Sequence, residues 1–190
     1  VPGVRVIAID GPAGSGKSTI ARLLAERLGL PYLDTGAMYR TVALASLRDD
    51  IDCADAKRLA AIAATMPVDT TDAIRTSEVN AVVSAVAAIP EVRRELVRRQ
   101  REWADEHDGG VVEGRDIGTV VFPHAALKVF LTASEEERAR RRGEETDVAR
   151  RDRLDSTRAV SPLKVADDAL VIDTTGRSVD DIVEEVLSKL

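Results

Sequence analysis

Near its start the chain reads Gly11-Pro12-Ala13-Gly14-Ser15-Gly16-Lys17-Ser18, which fills the spacing G-x-x-x-x-G-K-[ST] of a phosphate-binding (Walker A) loop. No other feature constrains the fold as much, because such a loop works only where a strand runs in and a helix runs out. Both flanks qualify. Val4 to Ile9 is a short apolar run ending at Asp10-Gly11, as a buried strand does. From Lys17 to Leu28 the residues Ile20, Leu23, Leu24 and Leu28 fall on one helical face, and Gly29 stands where a helix stops. Glycines let the backbone wrap an anion, and the N–H groups at the start of the helix then point at it. Gly11, Pro12, Ala13, Gly14, Ser15, Gly16, Lys17, Ser18 and Thr19 are therefore the candidate nucleotide-binding residues. Lys17 brings a cation to the β and γ phosphates, and Ser18 a hydroxyl ligand for Mg²⁺. The motif implies a nucleoside triphosphate and leaves the acceptor open.

The rest of the chain alternates helical and strand patterns, which predicts an α/β fold of three layers around a parallel five-stranded sheet. The other strands are expected at Tyr32–Leu33, Val111–Glu113, Leu127 to Leu131 and Leu170 to Ile172. Helices are expected from about 37 to 47, with Tyr39, Val42, Ala43 and Leu47 inward, and from about 55 to 66. A further helix starts near Ser77 and closes before Pro90, which opens the next one. That next helix carries Arg93, Arg94, Arg98, Arg99 and Arg101. Ser134 and Glu137 form a capping-box pattern, and Ser178 caps a last helix with Val179, Ile182, Val183, Val186 and Leu187 inward.

Composition closes off several functions. The net charge of −6 argues against a nucleic-acid partner, whose backbone calls for a basic surface. One cysteine, Cys53, excludes an intrachain disulfide, and with two histidines, His107 and His124, it leaves little for a metal cage. Cys53, His107, His124 and Trp103 lack chemical context and read as structural. No apolar run reaches the length of a membrane span, and the first residues lack a signal-peptide pattern, so a cytoplasmic protein is expected.

Three further segments carry chemistry: Asp34-Thr35-Gly36-Ala37-Met38-Tyr39-Arg40, Glu113-Gly114-Arg115-Asp116-Ile117-Gly118-Thr119 and Arg158-Ala159-Val160-Ser161-Pro162-Leu163. The first two follow predicted strands and the third precedes one. Ligands of such sheets bind beyond the carboxyl ends of strands. With the phosphate loop and Ala73-Ile74-Arg75-Thr76-Ser77-Glu78-Val79, these segments make the chain resemble the bacterial cytidylate kinases, from about Val4 to the C-terminus.

The resemblance implies a Mg²⁺-dependent transfer of the ATP γ-phosphoryl group to CMP or dCMP, in pyrimidine nucleotide metabolism. It implies a monomer with small-molecule substrates. It also implies one P-loop kinase domain over residues 1–190. Its core would hold 1–50, 110–134 and 165–190, with a monophosphate-binding insert at about 51–109 and a mobile lid at about 135–164. Carried over residue by residue, Thr35, Arg40 and Arg115 look like the acceptor-phosphate residues, and Ser84, Arg93 and Asp116 like the cytosine readers. Arg151 and Arg158 match lid arginines that reach the phosphates, and Asp155 a lid carboxylate near the ribose. Lys17, Arg115, Arg151 and Arg158 would then be catalytic. Ser18 would be the metal ligand, with Asp34 or Glu113, each ending a predicted strand, as its supporting carboxylate.

The chemistry is coherent. Cytosine offers an amino donor that Asp116 can accept, and ring acceptors that Arg93 and Ser84 can reach. Uracil has a carbonyl in place of that amine, which would face the carboxylate unpaired. Two other readings stay open on the residues alone. One is a small P-loop kinase acting on UMP, AMP or an alcohol; the other is a nucleotide-dependent switch with no acceptor. Compared with the family, the chain looks about fifteen residues short by eye near Met66 to Thr71, and again between Thr146 and Asp147. Either these are deletions or a mobile segment is missing from the numbering; the second is the expectation.

Overall fold

The computed structural model describes residues 5–142 and 163–190. It divides into two compact units, Val1–Leu33 with Ala104–Leu190, and Asp34–Trp103.

In the first unit five strands form one parallel sheet in the order β2-β3-β1-β4-β5. They are β1 (Arg5–Asp10), β2 (Tyr32–Asp34), β3 (Gly109–Glu113), β4 (Leu127–Thr132) and β5 (Leu170–Asp173). The central strand β1 pairs with β3 on one side, Ile9 opposite Glu113, and with β4 on the other, Asp10 opposite Phe130. Val6, Ile7, Ala8 and Ile9 are all buried, because a central parallel strand is covered on both faces. The chain moves from β1 outward to β2, returns to β3, then crosses β1 to reach β4. Such a reversal marks where ligands bind an open sheet.

Helix α1 (Lys17–Leu28) has the bounds the spacing predicts, with Gly29 donating to Ala25 and Glu26 as its cap. Its Ile20, Ala21, Leu24 and Ala25 pack with Ile7, Ile9, Val111, Val129, Leu131 and Ile172 of the sheet. The final helix, α7 (Val179–Leu187), adds Ile182, Val183 and Val186 to that core. Ser178 caps it, its Oγ accepting from Asp181 N at 3.1 Å. Helix α6 (Glu135–Arg142) is capped by Ser134 Oγ, which accepts from Glu137 N at 3.2 Å. The reciprocal half of the expected capping box is not made. Glu137 turns to Arg140 and Arg141, and Ser134 N donates to Thr175 Oγ1 instead.

The second unit is helical: α2 (Thr35–Arg48), α3 (Ala56–Thr65), α4 (Ser77–Val86) and most of α5 (Pro90–Glu106). Helix α2 packs against α3, α4 and a 3-10 turn at Asp72–Arg75. Leu47, expected inward, is 42% exposed. The buried stripe of α2 runs through Thr35, Met38, Tyr39, Val42, Ala45 and Ser46, and Leu47 is rotated about 140° from Val42 around the helix.

The first short stretch belongs to the chain itself. Residues 66–76 run on without a break: Asp69 N donates to Thr41 Oγ1, Asp69 Oδ1 accepts from Thr71 N, and Thr71 Oγ1 caps the 3-10 turn. The expectation of a segment missing from the numbering is corrected there; the full sequence has 190 residues. The second stretch, at 146–147, lies outside the described residues.

Candidate functional site: a phosphate loop and a buried polar cluster

Within the first unit, Gly11 to Gly16 join the end of β1 to the start of α1. The path demands its glycines. Gly11 has φ +149°, and a Cβ there would lie 2.1 Å from the Leu131 carbonyl oxygen. Gly14 has φ +78°, and a Cβ there would press on the Arg138 backbone oxygen at 2.8 Å. No side chain caps the first turn of α1, whose N-cap is Gly16. Its N–H groups and its dipole suit an anion.

The loop is braced through its carbonyls. Arg138 Nη1 donates to Ala13 O at 3.3 Å, and Arg141 Nη1 to Gly14 O at 3.4 Å. Thr174, 1% exposed at the end of β5, sets its hydroxyl 3.1 Å from Ser15 O and 3.0 Å from Thr132 O, and accepts from Arg141 Nη1 at 2.9 Å. Lys17 Nζ donates to Pro12 O at 2.7 Å, which lays the ammonium along the loop. Sequence reasoning missed Thr174, Arg138 and Arg141. Their only signal is position, at a strand end and on the helix after β4.

Two carboxylates lie under the loop. Glu113, 3% exposed at the end of β3, accepts from Ser18 Oγ at 3.0 Å and from the Tyr32 hydroxyl. Tyr32 in turn lies under Arg22, whose Cζ is 5.4 Å from the ring centre. Asp10, 5% exposed, accepts from Ile117 N at 2.8 Å and Gly118 N at 2.7 Å. Burial pushes its pKa up to about 6 and the nearby Asp116 adds to the rise, while the two N–H groups and Lys17 oppose it. Arg115 Nη1 donates to Gly11 O at 2.9 Å, and Asp116 is 5% exposed. A π-turn at Ile117–Val121, which the sequence does not predict, follows directly.

The second unit holds the other predicted residues. Thr35, Ser84 and Arg93 are buried at 3%, 6% and 4% exposure. Arg93 Cζ lies 5.7 Å from the centre of the Tyr39 ring, and Nη1 donates to Ala87 O at 3.4 Å. The arginine run on α5 thus separates by task. Arg98 pairs with Glu95 and Glu102 on the surface, Arg99 binds the Ala63 and Met66 carbonyls, and Arg93 is buried. Arg40 donates to Asp34 at 3.0 Å, and Arg75 approaches the same carboxylate at 3.7 Å. Asp34 also caps α2 through Ala37 N. Arg151, Asp155 and Arg158 lie outside the described residues.

A parallel sheet whose central strand enters a glycine loop, with lysine and serine opening the next helix, defines the P-loop nucleoside-triphosphate-binding class. A crystal structure of a protein from Thermus thermophilus aligns over 98% of this chain and 97% of its own, with a TM-score of 0.54 and 25% identity. The cytidylate kinase family model matches residues 7–190. The cytidylate kinase of Mycobacterium leprae is 48% identical over 208 residues, covering 96% of this chain and 93% of that protein. That of Anoxybacillus flavithermus is 45% identical over 211 residues, covering 95% and 93%. The chain belongs to the cytidylate kinase family. Since 96% of 190 residues is about 182, the 208-residue alignment leaves about 26 positions that the M. leprae protein fills and this chain skips.

Proposed function

We propose that this protein transfers the γ-phosphoryl group of ATP to CMP and dCMP, giving CDP or dCDP and ADP, as its family membership implies. Three polar side chains support the reading most directly. Ser84, Arg93 and Asp116, which the family resemblance makes the candidate base readers, are 6%, 4% and 5% exposed. All three are buried, which a solvated charged face or a surface ion pair does not account for. A cytosine edge supplies the complementary donor and acceptors.

The loop backbone and Lys17 hold the triphosphate, and Arg115, tied to Gly11 O, stands beside the loop. The acceptor's own phosphate oxygen is the nucleophile, so no side-chain base is needed. Positioning and charge stabilisation carry the reaction. In this reading Thr35 and Arg40 hold the acceptor phosphate, and the lid residues Arg151, Asp155 and Arg158 complete the set.

The residues present fit Mg²⁺. Ser18 Oγ lies 3.0 Å from a buried carboxylate oxygen of Glu113, and hard oxygen donors are what this ion prefers. Asp34 fits less well, because Arg40 and Arg75 already surround it. Held by Ser18 and Glu113, Mg²⁺ would supply positive charge against the triphosphate during transfer. We further propose a cytoplasmic monomer that acts on small molecules, not on nucleic acid or a membrane. Among the described residues no helix is long and apolar enough to cross one.

The reading is tested by ADP release with MgATP and CMP, dCMP, UMP, AMP or no acceptor. CMP- and dCMP-dependent turnover with little from UMP supports it. Turnover with another acceptor keeps the kinase and overturns the base-reading assignments.

A further inference from the structure

The last residue of β1, Asp10, and the first of the phosphate loop, Gly11, both meet the segment that carries Asp116. Asp10 takes the N–H groups of Ile117 and Gly118, one on each carboxylate oxygen, at 2.8 and 2.7 Å. Gly11 takes Arg115 Nη1 on its carbonyl at 2.9 Å. The residues on both sides of Asp116 are therefore tied to the first two residues leading into the phosphate loop. The Asp116 carbonyl is fixed as well, accepting from Val120 N at 2.9 Å and Val121 N at 3.2 Å. A carboxylate buried to 5% exposure is an expensive way to hold a turn, and a neutral acceptor would cost less. Charge-assisted bonds to two successive N–H groups give a stiffer hold than a neutral side chain can. The general roles of P-loop residues leave Asp10 without a task, since it lies before the glycine cradle.

We propose that Asp10 is a positioning residue for acceptor selection: through the Ile117 and Gly118 amides it keeps Asp116 in register with the phosphate loop. The base is then read at a fixed distance from the phosphoryl group being moved. Phosphoryl transfer needs that distance, because a misplacement of about 1 Å costs on the order of a hundredfold in rate. The proposal rests on the reading of Asp116 as a cytosine reader given above.

The test compares wild type, Asp116→Asn, Asp10→Asn and the double variant by the ratio of kcat/KM for CMP to that for UMP. The affinity for MgADP is measured in parallel. Asp10→Asn keeps the size of the side chain but replaces one acceptor oxygen with an NH2. It is expected to narrow the ratio about tenfold, mainly by raising KM for CMP, with the Kd for MgADP changed by less than about threefold. The double variant is expected to discriminate no worse than Asp116→Asn, because both changes act on one interaction. If Asp116→Asn alone leaves the ratio unchanged, the base-reading assignment fails and the proposal with it. If Asp116→Asn narrows the ratio but Asp10→Asn does not, only the proposal is overturned. Additive losses in the double variant, or a loss of MgADP affinity as large as the loss of selectivity, overturn it too. If Asp10→Asn does not fold, Asp10→Ser, smaller and neutral, is put to the same comparison.

Discussion

Replacing Asp10 with asparagine should change how stability depends on pH. In the folded protein the Asp10 carboxyl titrates at about 6 rather than 3.8, mainly because it is buried. The folded state therefore holds the proton more tightly than the unfolded chain. The resulting stabilisation is fully present below pH 3.8 and is lost as pH rises through about 6. Two pH units at 1.36 kcal/mol each make the full swing about 3 kcal/mol, and about 1.4 kcal/mol of it falls between pH 5 and pH 8. The substituted asparagine does not titrate. Any cost from its mismatched amide is the same at every pH. Relative to wild type, Asp10→Asn should therefore gain about 1.4 kcal/mol between pH 5 and pH 8. Urea titrations followed by circular dichroism at pH 5, 6, 7 and 8 measure this directly. Curves that stay parallel to within about 0.4 kcal/mol across that range would refute the account of Asp10 as a buried carboxylate ionised near pH 6.

Two other variants test the loop and its metal. Lys17→Ala should lower kcat by about a thousandfold while the thermal midpoint moves by no more than about 2 °C, and retained turnover would remove Lys17 from the mechanism. Tyr32→Phe takes a donor from the buried Glu113 carboxylate, so stability should fall by about 1–2 kcal/mol in urea. The Mg²⁺ needed for half-maximal turnover should also rise severalfold, and no change in either quantity would separate Tyr32 and Glu113 from the metal.

What could be read from the sequence was what is local along the chain. The phosphate loop lies within eight residues, between a strand and a helix whose patterns are clear. Gly29 and Ser178 act on neighbours a few residues away, so their caps could be read off directly. Contacts closed by the fold were not readable. Asp10 meets Ile117 and Gly118 across 107 and 108 residues of chain, and Thr174 meets Ser15 across 159. No pattern announces such a pairing before β1, β3 and β4 lie side by side. The charge-rich helix α5 shows the same limit in another form. Five arginines look alike in sequence, and only packing separates the buried Arg93 from Arg98 on its surface ion pairs. The capping box at Ser134 half-failed for a similar reason, since Arg140 and Arg141 compete for Glu137. Only the resemblance makes Ser84, Arg93 and Asp116 candidate base readers, since the residues alone leave each a structural reading.

The most direct test of the central claim supplies CMP and UMP together, at equal concentration, with MgATP labelled in its γ-phosphate. The account predicts that label enters the β-phosphate of CDP far faster than that of UDP, and that Asp116→Asn brings the two rates together. Equal labelling by the wild-type protein, or label released only as inorganic phosphate, would contradict it.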